Sequence, residues 1–284
     1  RLASGTLQGD LILVGEGDPF MTSERWWTFV QELRERGLTK IAGGLVLDNT
    51  YFAPVPDSRA DFDAQPFRSY NVIPDALMVN FQTSRFTITA NAQRARPEIV
   101  VNPMPANLKI ENRARVGTGR CSGYNRGITF STPSGDPNTI VIGGTIAASC
   151  GSYSLGRAIM NAPDYTYGTF RTFWNESGGT IQDGMRIERR PADARRFHSF
   201  DSVSLAEVIR LVNKYSNNVM ARHLLLTLGA ERFGAPATVE MGRNAVRTWL
   251  VERNIDMPGF VLDNGSGLSR DERVTARGLA QTLD

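Results

Sequence analysis

Between residues 75 and 146 the sequence changes its periodicity, and this change constrains the fold more than any other feature. Residues 1 to about 70 alternate strand and helix signals. From about 75 to 146 short β-rich runs recur instead, at 85–90, 98–102, 108–116, 127–131 and 139–142. Clusters of turn residues separate them, among them Pro133-Ser134-Gly135-Asp136-Pro137-Asn138, and spacing of this kind belongs to a small all-β module. Within 108–116, Leu108, Ile110, Asn112 and Ala114 alternate with Lys109, Glu111, Arg113 and Arg115, the period of two of a half-buried strand. Helical character returns over 154–178, with Phe170, Phe173 and Trp174 as core candidates. A polar, proline-broken stretch at 188–196 reads as a linker, and two strongly helical segments follow at 204–228 and about 237–253. With 284 residues, the prior of roughly 150 per domain gives about two domains.

The first unit reads as β-α-β. Residues 9–14 predict a strand and Gly15-Glu16-Gly17-Asp18-Pro19 a turn. Thr22 or Ser23 is placed to cap a helix, with Glu24 in its first turn, where the macrodipole favours an anion. Trp26, Val30 and Leu33 share one face, and Gly37 is a natural stop. Residues 41–47 predict a second strand, interrupted by a bulge at Gly43-Gly44. The Gly15-x-Gly17 spacing is not a phosphate loop: the third glycine is missing, and neither nucleotide fingerprint fits.

Composition excludes several classes. Hydrophobic residues at 41% and charged residues at 21% argue against disorder. No apolar run approaches the length of a membrane-spanning helix; the longest, 139–150, is broken by Gly143-Gly144. A net charge of +3 is too mild to suggest nucleic acid. Only Lys40, Lys109 and Lys214 are lysines among 32 basic residues. Two cysteines, Cys121 and Cys150, and two histidines, His198 and His223, form no metal motif, and no cofactor motif is present. The cysteines are either two buried thiols or one disulfide, which would close a loop of about 30 residues worth ~3.6 kcal/mol in the chain-entropy model.

The segment 204–228 carries the chemistry. Leu205, Val208, Ile209 and Val212 form an apolar stripe, and on an unbroken helix Ser216 falls about 20° from Leu205 while Asn218 lies at about 220°. Either Ser216 is a helix serine bonding back to a carbonyl one turn earlier, or Lys214-Tyr215-Ser216-Asn217-Asn218 is a turn between two helices and both polar groups face one cleft.

Tyr215-Ser216-Asn217-Asn218, with the helix after it, resembles the S-x-N segment of penicillin-binding proteins. Asp263-Asn264-Gly265-Ser266-Gly267-Leu268-Ser269-Arg270 resembles a D-G-S-G-L-S-R segment of the class C low-molecular-mass penicillin-binding proteins, the D-alanyl-D-alanine carboxypeptidase/endopeptidases. Gly9-Asp10-Leu11 through Gly17-Asp18-Pro19, and Pro74-Asp75-Ala76-Leu77-Met78-Val79-Asn80, resemble two further segments of that family in the right order. The resemblance implies an α+β fold: a serine-β-lactamase/transpeptidase-like catalytic domain, incomplete here, with an inserted α/β domain that itself carries a small β-rich domain. The expected limits are 1–74 and 147–196 for the two parts of the inserted domain, 75–146 for the β-rich domain, and 197–284 for part of the penicillin-binding domain.

The family's chemistry uses S-x-x-K for the nucleophile, S-x-N for proton transfer and substrate binding, and K-T-G for a cation beside an edge strand. Carried over, Ser216 becomes the proton-relay serine and Asn218 the substrate-binding amide. Lys214 acts electrostatically at most, and the 263–270 turn is structural, lining the cleft or setting up the next strand. No serine here is followed three residues later by lysine, and no lysine begins K-T-G or K-S-G; the expectation is an internal fragment, inactive as it stands. Asp63 and Arg68 are candidates to approach the cleft, with a solvated loop as the alternative. His198 is read as a linker histidine and His223 as a helix-surface histidine, neither catalytic. The implied setting is the periplasm, where disulfides persist, and this tilts the cysteines toward a Cys121–Cys150 bridge. The implied partners are peptidoglycan stem peptides and β-lactam antibiotics, with no nucleic acid, no transmembrane segment, no metal and no cofactor; a homodimer is admitted. The competing reading is a non-catalytic cell-wall binding or scaffolding protein that kept the fold, and a β-lactamase proper fits less well.

Overall fold

The computed structural model describes residues 2–283. The chain opens with β1 (Leu2–Ala3), β2 (Thr6–Leu7), β3 (Leu11–Val14), α1 (Ser23–Glu35), β4 (Lys40–Ile41) and β5 (Leu45–Asp48). Thr22 caps α1, its hydroxyl accepting from the Arg25 amide, and Trp26, Val30 and Leu33 are buried along one face. The strands β3 and β5 pair in parallel from Leu11↔Leu45 to Val14↔Asp48, so α1 is their crossover, as the β-α-β pattern predicts. The expected bulge at Gly43-Gly44 is instead a break between two ladders. The strand β4 joins one sheet and β5 another. A Cβ on Gly43 would lie 2.4 Å from an Asp10 carboxylate oxygen and one on Gly44 2.5 Å from the Gly184 carbonyl, so only glycines allow this close passage.

The middle of the chain supplies β6 (Ser84–Thr89), β7 (Glu98–Asn102), β8 (Lys109–Asn112), β9 (Arg115–Gly117), β10 (Ile128–Ser131), β11 (Thr139–Ala147) and β12 (Ser152–Arg157). One sheet has the antiparallel order β12-β6-β7; the other has β10-β11-β8, with β9 also on β11. The run 108–116 is therefore two strands, both parallel to β11, with fully buried Ala114 between them. The expected boundary at 146/147 falls inside β11, and β12 returns to pair with β6, so the β-rich part extends to Arg157 and residues 154–157 are strand, not helix. Cys121 and Cys150 are joined by a disulfide.

Next come α2 (Ala162–Glu176), capped by Asn161, then β13 (Thr180–Ile181) and β14 (Met185–Ile187). These two strands pair in parallel with β4 and β5, so the chain returns to the sheets it left at Asp48. Phe170 and Trp174 are fully buried, whereas Phe173 only packs against the core from its edge. That core is contiguous, running from Leu11 and Trp26 through Phe86 and Ile140 to Trp174.

The predicted linker at 188–196 has no regular helix or strand, but the residues just after it are pinned to α1. His198 stacks on Phe29 and its Nε2 is 2.5 Å from Glu32, while the Asp201 carbonyl accepts from Arg25. The remaining helices are α3 (Leu205–Tyr215), α4 (Asn218–Phe233), α5 (Val239–Glu252) and α6 (Ala276–Leu283). In α3 the apolar stripe is mostly exposed: Val208 is buried, but Leu205 and Ile209 are 63% and 45% exposed. The helix α4 does the docking. Leu226 and Ala230 pack with Phe52, Ala76 and Ala237, and Val219 packs with Val72, Met78 and Ala158. His223 is not a surface residue. It is fully buried, edge-on to Phe52 and 3.4 Å from the Gly17 carbonyl, because α4 lies on the first unit rather than in solvent. Among the described residues no helix is long and apolar enough to cross a membrane.

Candidate active site

The helical rod expected as one alternative over 204–228 is broken at Ser216. That residue has left-handed backbone angles, φ 51° and ψ 48°, a conformation that costs an L-residue free energy. It is the C-cap of α3, its amide donating to the Val212 carbonyl. Asn217 then caps α4, its side-chain oxygen accepting from the Met220 amide at 3.1 Å. The middle residue of the Ser-Asn-Asn triplet thus starts the second helix, and Asn218 becomes its first residue. Ser216 and Lys214 are exposed and Asn218 is partly buried.

Asn218 points toward the long segment between β5 and β6. Its amide nitrogen is 3.5 Å from the Tyr70 carbonyl. The Tyr70 hydroxyl donates to Asp63 at 2.7 Å, and the Asn71 amide donates to the same carboxylate at 2.7 Å. Burial raises the pKa of Asp63, but these hydrogen bonds outweigh it and hold the carboxyl below its usual range. Arg68 makes no hydrogen bond to Asp63, but its charge helps to lower that carboxyl; its guanidinium lies over the Tyr124 ring at 4.2 Å and donates to Gln65. One turn beyond Asn218, and on the same face, Arg222 donates to the Val72 carbonyl at 3.3 Å and pairs with Asp57. Burial lowers the pKa of Arg222, and Asp57 opposes the shift.

The Asp263-to-Arg270 turn faces this segment. Asn264 organises it: its side-chain oxygen accepts from both the amide and the hydroxyl of Ser266, at 3.0 and 2.6 Å. Arg243 of α5 holds Asp263 through its carbonyl at 2.6 Å and its carboxylate at 2.8 Å. Flanking the turn, Val261 and Arg273 form an antiparallel bridge, and Arg270 reaches across to the Phe62 carbonyl at 3.4 Å. Between the turn and the segment lies a concavity of about 250 Å³, walled by Asp57, Asp61 and Phe62 on one side and Ser266 and Arg270 on the other, with Tyr70 at its margin.

The concavity is thus bounded by the 263–270 turn, Arg222, Tyr70 and Asn71; Asn218 and Asp63 do not line it but bond to Tyr70 and Asn71 on its wall, and Ser216, at the helix junction, does not line it either. Arg68 neighbours Asp63 and Tyr70 by charge alone, and His198 lies elsewhere, on α1. Sequence reading missed Arg222, Asp57 and Tyr70. The available signal was an arginine four residues after Asn218, on the same face of the helix; the other two had none. Among the described residues no group of three or more His, Cys, Asp or Glu is arranged to hold a metal ion.

The sequence model of the D-Ala-D-Ala carboxypeptidase 3 (S13) family matches residues 1–284. The chain is 28% identical over 281 residues to a D-alanyl-D-alanine carboxypeptidase of Actinomadura sp. (strain R39), across 94% of this chain and 50% of the relative. It is 23% identical over 286 residues to the D-alanyl-D-alanine carboxypeptidase DacB of Haemophilus influenzae, across 100% of this chain and 59% of the relative. It thus spans 50–59% of the length of these curated relatives. The crystal structure of penicillin binding protein 4 (dacB) from Haemophilus influenzae has the same fold, with a TM-score of 0.81 at 22% identity over 99% of this chain and 62% of that one. The same protein complexed with a novel β-lactam gives a TM-score of 0.75 at 21% identity, over 99% of this chain and 60% of that one.

Proposed function

Because the chain belongs to the D-Ala-D-Ala carboxypeptidase 3 (S13) family, we propose that its full-length protein is a penicillin-sensitive serine D-Ala-D-Ala carboxypeptidase/endopeptidase. It acts on peptidoglycan stem peptides and cross-links in the periplasm, through an acyl-enzyme. The observation that supports this reading is the left-handed break at Ser216, since an unbroken helix would hold its hydroxyl and the Asn218 carboxamide on opposite faces. In this reading the Ser216 hydroxyl passes the nucleophile's proton toward the departing D-Ala nitrogen. The Asn218 amide bonds the substrate backbone, Asp63 contacts the peptide, and Lys214 adds only positive potential. The nucleophile and the third-motif lysine come from outside residues 1–284. In this reading residues 1–74 and 158–196 form the inserted α/β domain around the β-rich 75–157, with β12 kept beside its partner β6, and 197–284 belong to the penicillin-binding domain.

The second reading, a non-catalytic cell-wall binding protein, draws on the absence of S-x-x-K and K-T-G within the 284 residues. Incubating the full-length protein with fluorescent penicillin separates the two. A covalent adduct that survives denaturation is expected; its absence favours the binding protein.

A further inference from the structure

The arm that walls the concavity, residues 57–62, is held by a charged group that the chemistry above does not use. Arg59 extends away from the concavity into the body of the fold. Its guanidinium donates to the carbonyls of Ala158 at 3.0 Å and Met160 at 2.7 Å, and to the side-chain oxygen of Gln82. All three acceptors are neutral oxygens. Burial lowers the arginine to about 10, so this cation is kept in place by geometry rather than by a carboxylate.

Two further observations make the arrangement a latch. The amide of Ala158 donates to the Phe67 carbonyl at 3.0 Å. A single buried residue, between β12 and α2, thus grips the looped segment at both ends, through Arg59 on one side and Phe67 on the other. Gln82 is 1% exposed and is the last of three successive non-glycine residues with left-handed φ, Asn80 at 46°, Phe81 at 52° and Gln82 at 52°. A backbone in this region persists only when its surroundings over-determine it. Here it turns the Gln82 amide inward, where its nitrogen donates to the Ile73 carbonyl at 3.0 Å and its oxygen meets Arg59. Asp63 itself has independent support from Tyr70 and Asn71. The stretch carrying Asp57, Asp61 and Phe62 is met by Arg222 at Asp57 and by Arg270 at the Phe62 carbonyl from the helical side, and Arg59 is its tie to the 158–160 side.

We propose that Arg59 is a positioning residue: by latching the 57–62 arm to residues 158–160 and Gln82, it fixes the wall against which the residues of a peptide substrate preceding its D-Ala-D-Ala terminus are read. This role rests on the carboxypeptidase reading and deepens it. The latch does not touch the reacting bond. It acts on ligands long enough to reach the wall and is indifferent to those that are not.

The test uses the full-length protein, a stem pentapeptide ending in D-Ala-D-Ala, and the short substrate N-acetyl-D-Ala-D-Ala. Arg59→Met is expected to raise KM for the pentapeptide about tenfold while kcat stays within about threefold and the short substrate is unaffected. Arg59→Lys, which keeps the charge and one donor direction, should recover part of the loss. Gln82→Leu, which removes one acceptor and spares the two carbonyls, should shift the same ratio in the same direction, and it serves in place of Arg59→Met should that variant not fold. Equal effects on both substrates, or none on either, overturn the latch while leaving the enzyme assignment standing. A wild-type protein that cleaves neither peptide and takes up no fluorescent penicillin overturns the assignment and this role with it.

Discussion

Replacing His223 with phenylalanine should flatten the acid limb of the protein's stability. The imidazole is fully buried where α4 meets the first unit. Burial, only partly offset by the Gly17 carbonyl and aided by neighbouring Arg222, lowers it from 6.5 to about 4. The folded state therefore favours the neutral ring. Its contribution is complete above about pH 6.5, the unfolded value, and is lost as pH falls toward 4. A shift of about 2.5 units corresponds to about 3 kcal/mol in full, of which about 2 kcal/mol is already lost at pH 5. Phenylalanine keeps the ring shape edge-on to Phe52 and removes the titration. Urea unfolding followed by tryptophan fluorescence at pH 7.5 and pH 5 gives four free energies. The difference between wild type and His223→Phe should move by about 2 kcal/mol between the two pH values, with wild type losing more in acid. Parallel pH dependences in the two proteins would refute the argument, because they would mean that the ring protonates as freely in the fold as in the unfolded chain.

Ser216→Ala in the full-length protein should slow acylation by penicillin by ~10²–10⁴, the range for a positioned proton-transfer group; a loss below about threefold reduces Ser216 to a helix cap. Ser216→Gly should be as slow as Ser216→Ala yet more stable by about 1 kcal/mol in denaturant melts, since glycine accepts the left-handed angles without cost, and equal stabilities would contradict the strain. Phe52→Ala, at the centre of the α4 docking cluster, should cost about 3–5 kcal/mol; a loss under about 1 kcal/mol would show that the cluster contributes little to holding the helices down. Under non-reducing conditions the intact mass should be about two hydrogens lower than the reduced value, with no alkylation at Cys121 or Cys150, whereas two alkylated thiols would contradict the bridge.

Much of the local structure was legible from the residues. The cap at Thr22, the buried face of Trp26, Val30 and Leu33, and the strand at 98–102 all emerged as read. The misreadings share a cause. The run 41–47 looked like one strand because its side chains suit one, yet Asp10 and Gly184 press on Gly43 and Gly44 and split it between two sheets. The run 108–116 kept its alternation while breaking at Ala114, because both halves follow the long strand β11. His223 looked like a surface histidine because nothing near it in sequence announces Gly17 or Phe52.

By itself the amino-acid order determined the caps, the helix faces, the shift from mixed to β-rich pattern, and the segments that mark the family. These depend on residues within about one helical turn or one strand of each other, so the information sits side by side in the chain. Tertiary structure alone decided that the chain kinks at Ser216 rather than bonding backward, that Asn218 meets Tyr70 across 148 positions of sequence, and that Arg222 and Arg59 anchor a wall neither motif contains. Each of those outcomes follows from which distant carbonyls and carboxylates a folded surface brings within hydrogen-bonding reach, and no local periodicity encodes that distance.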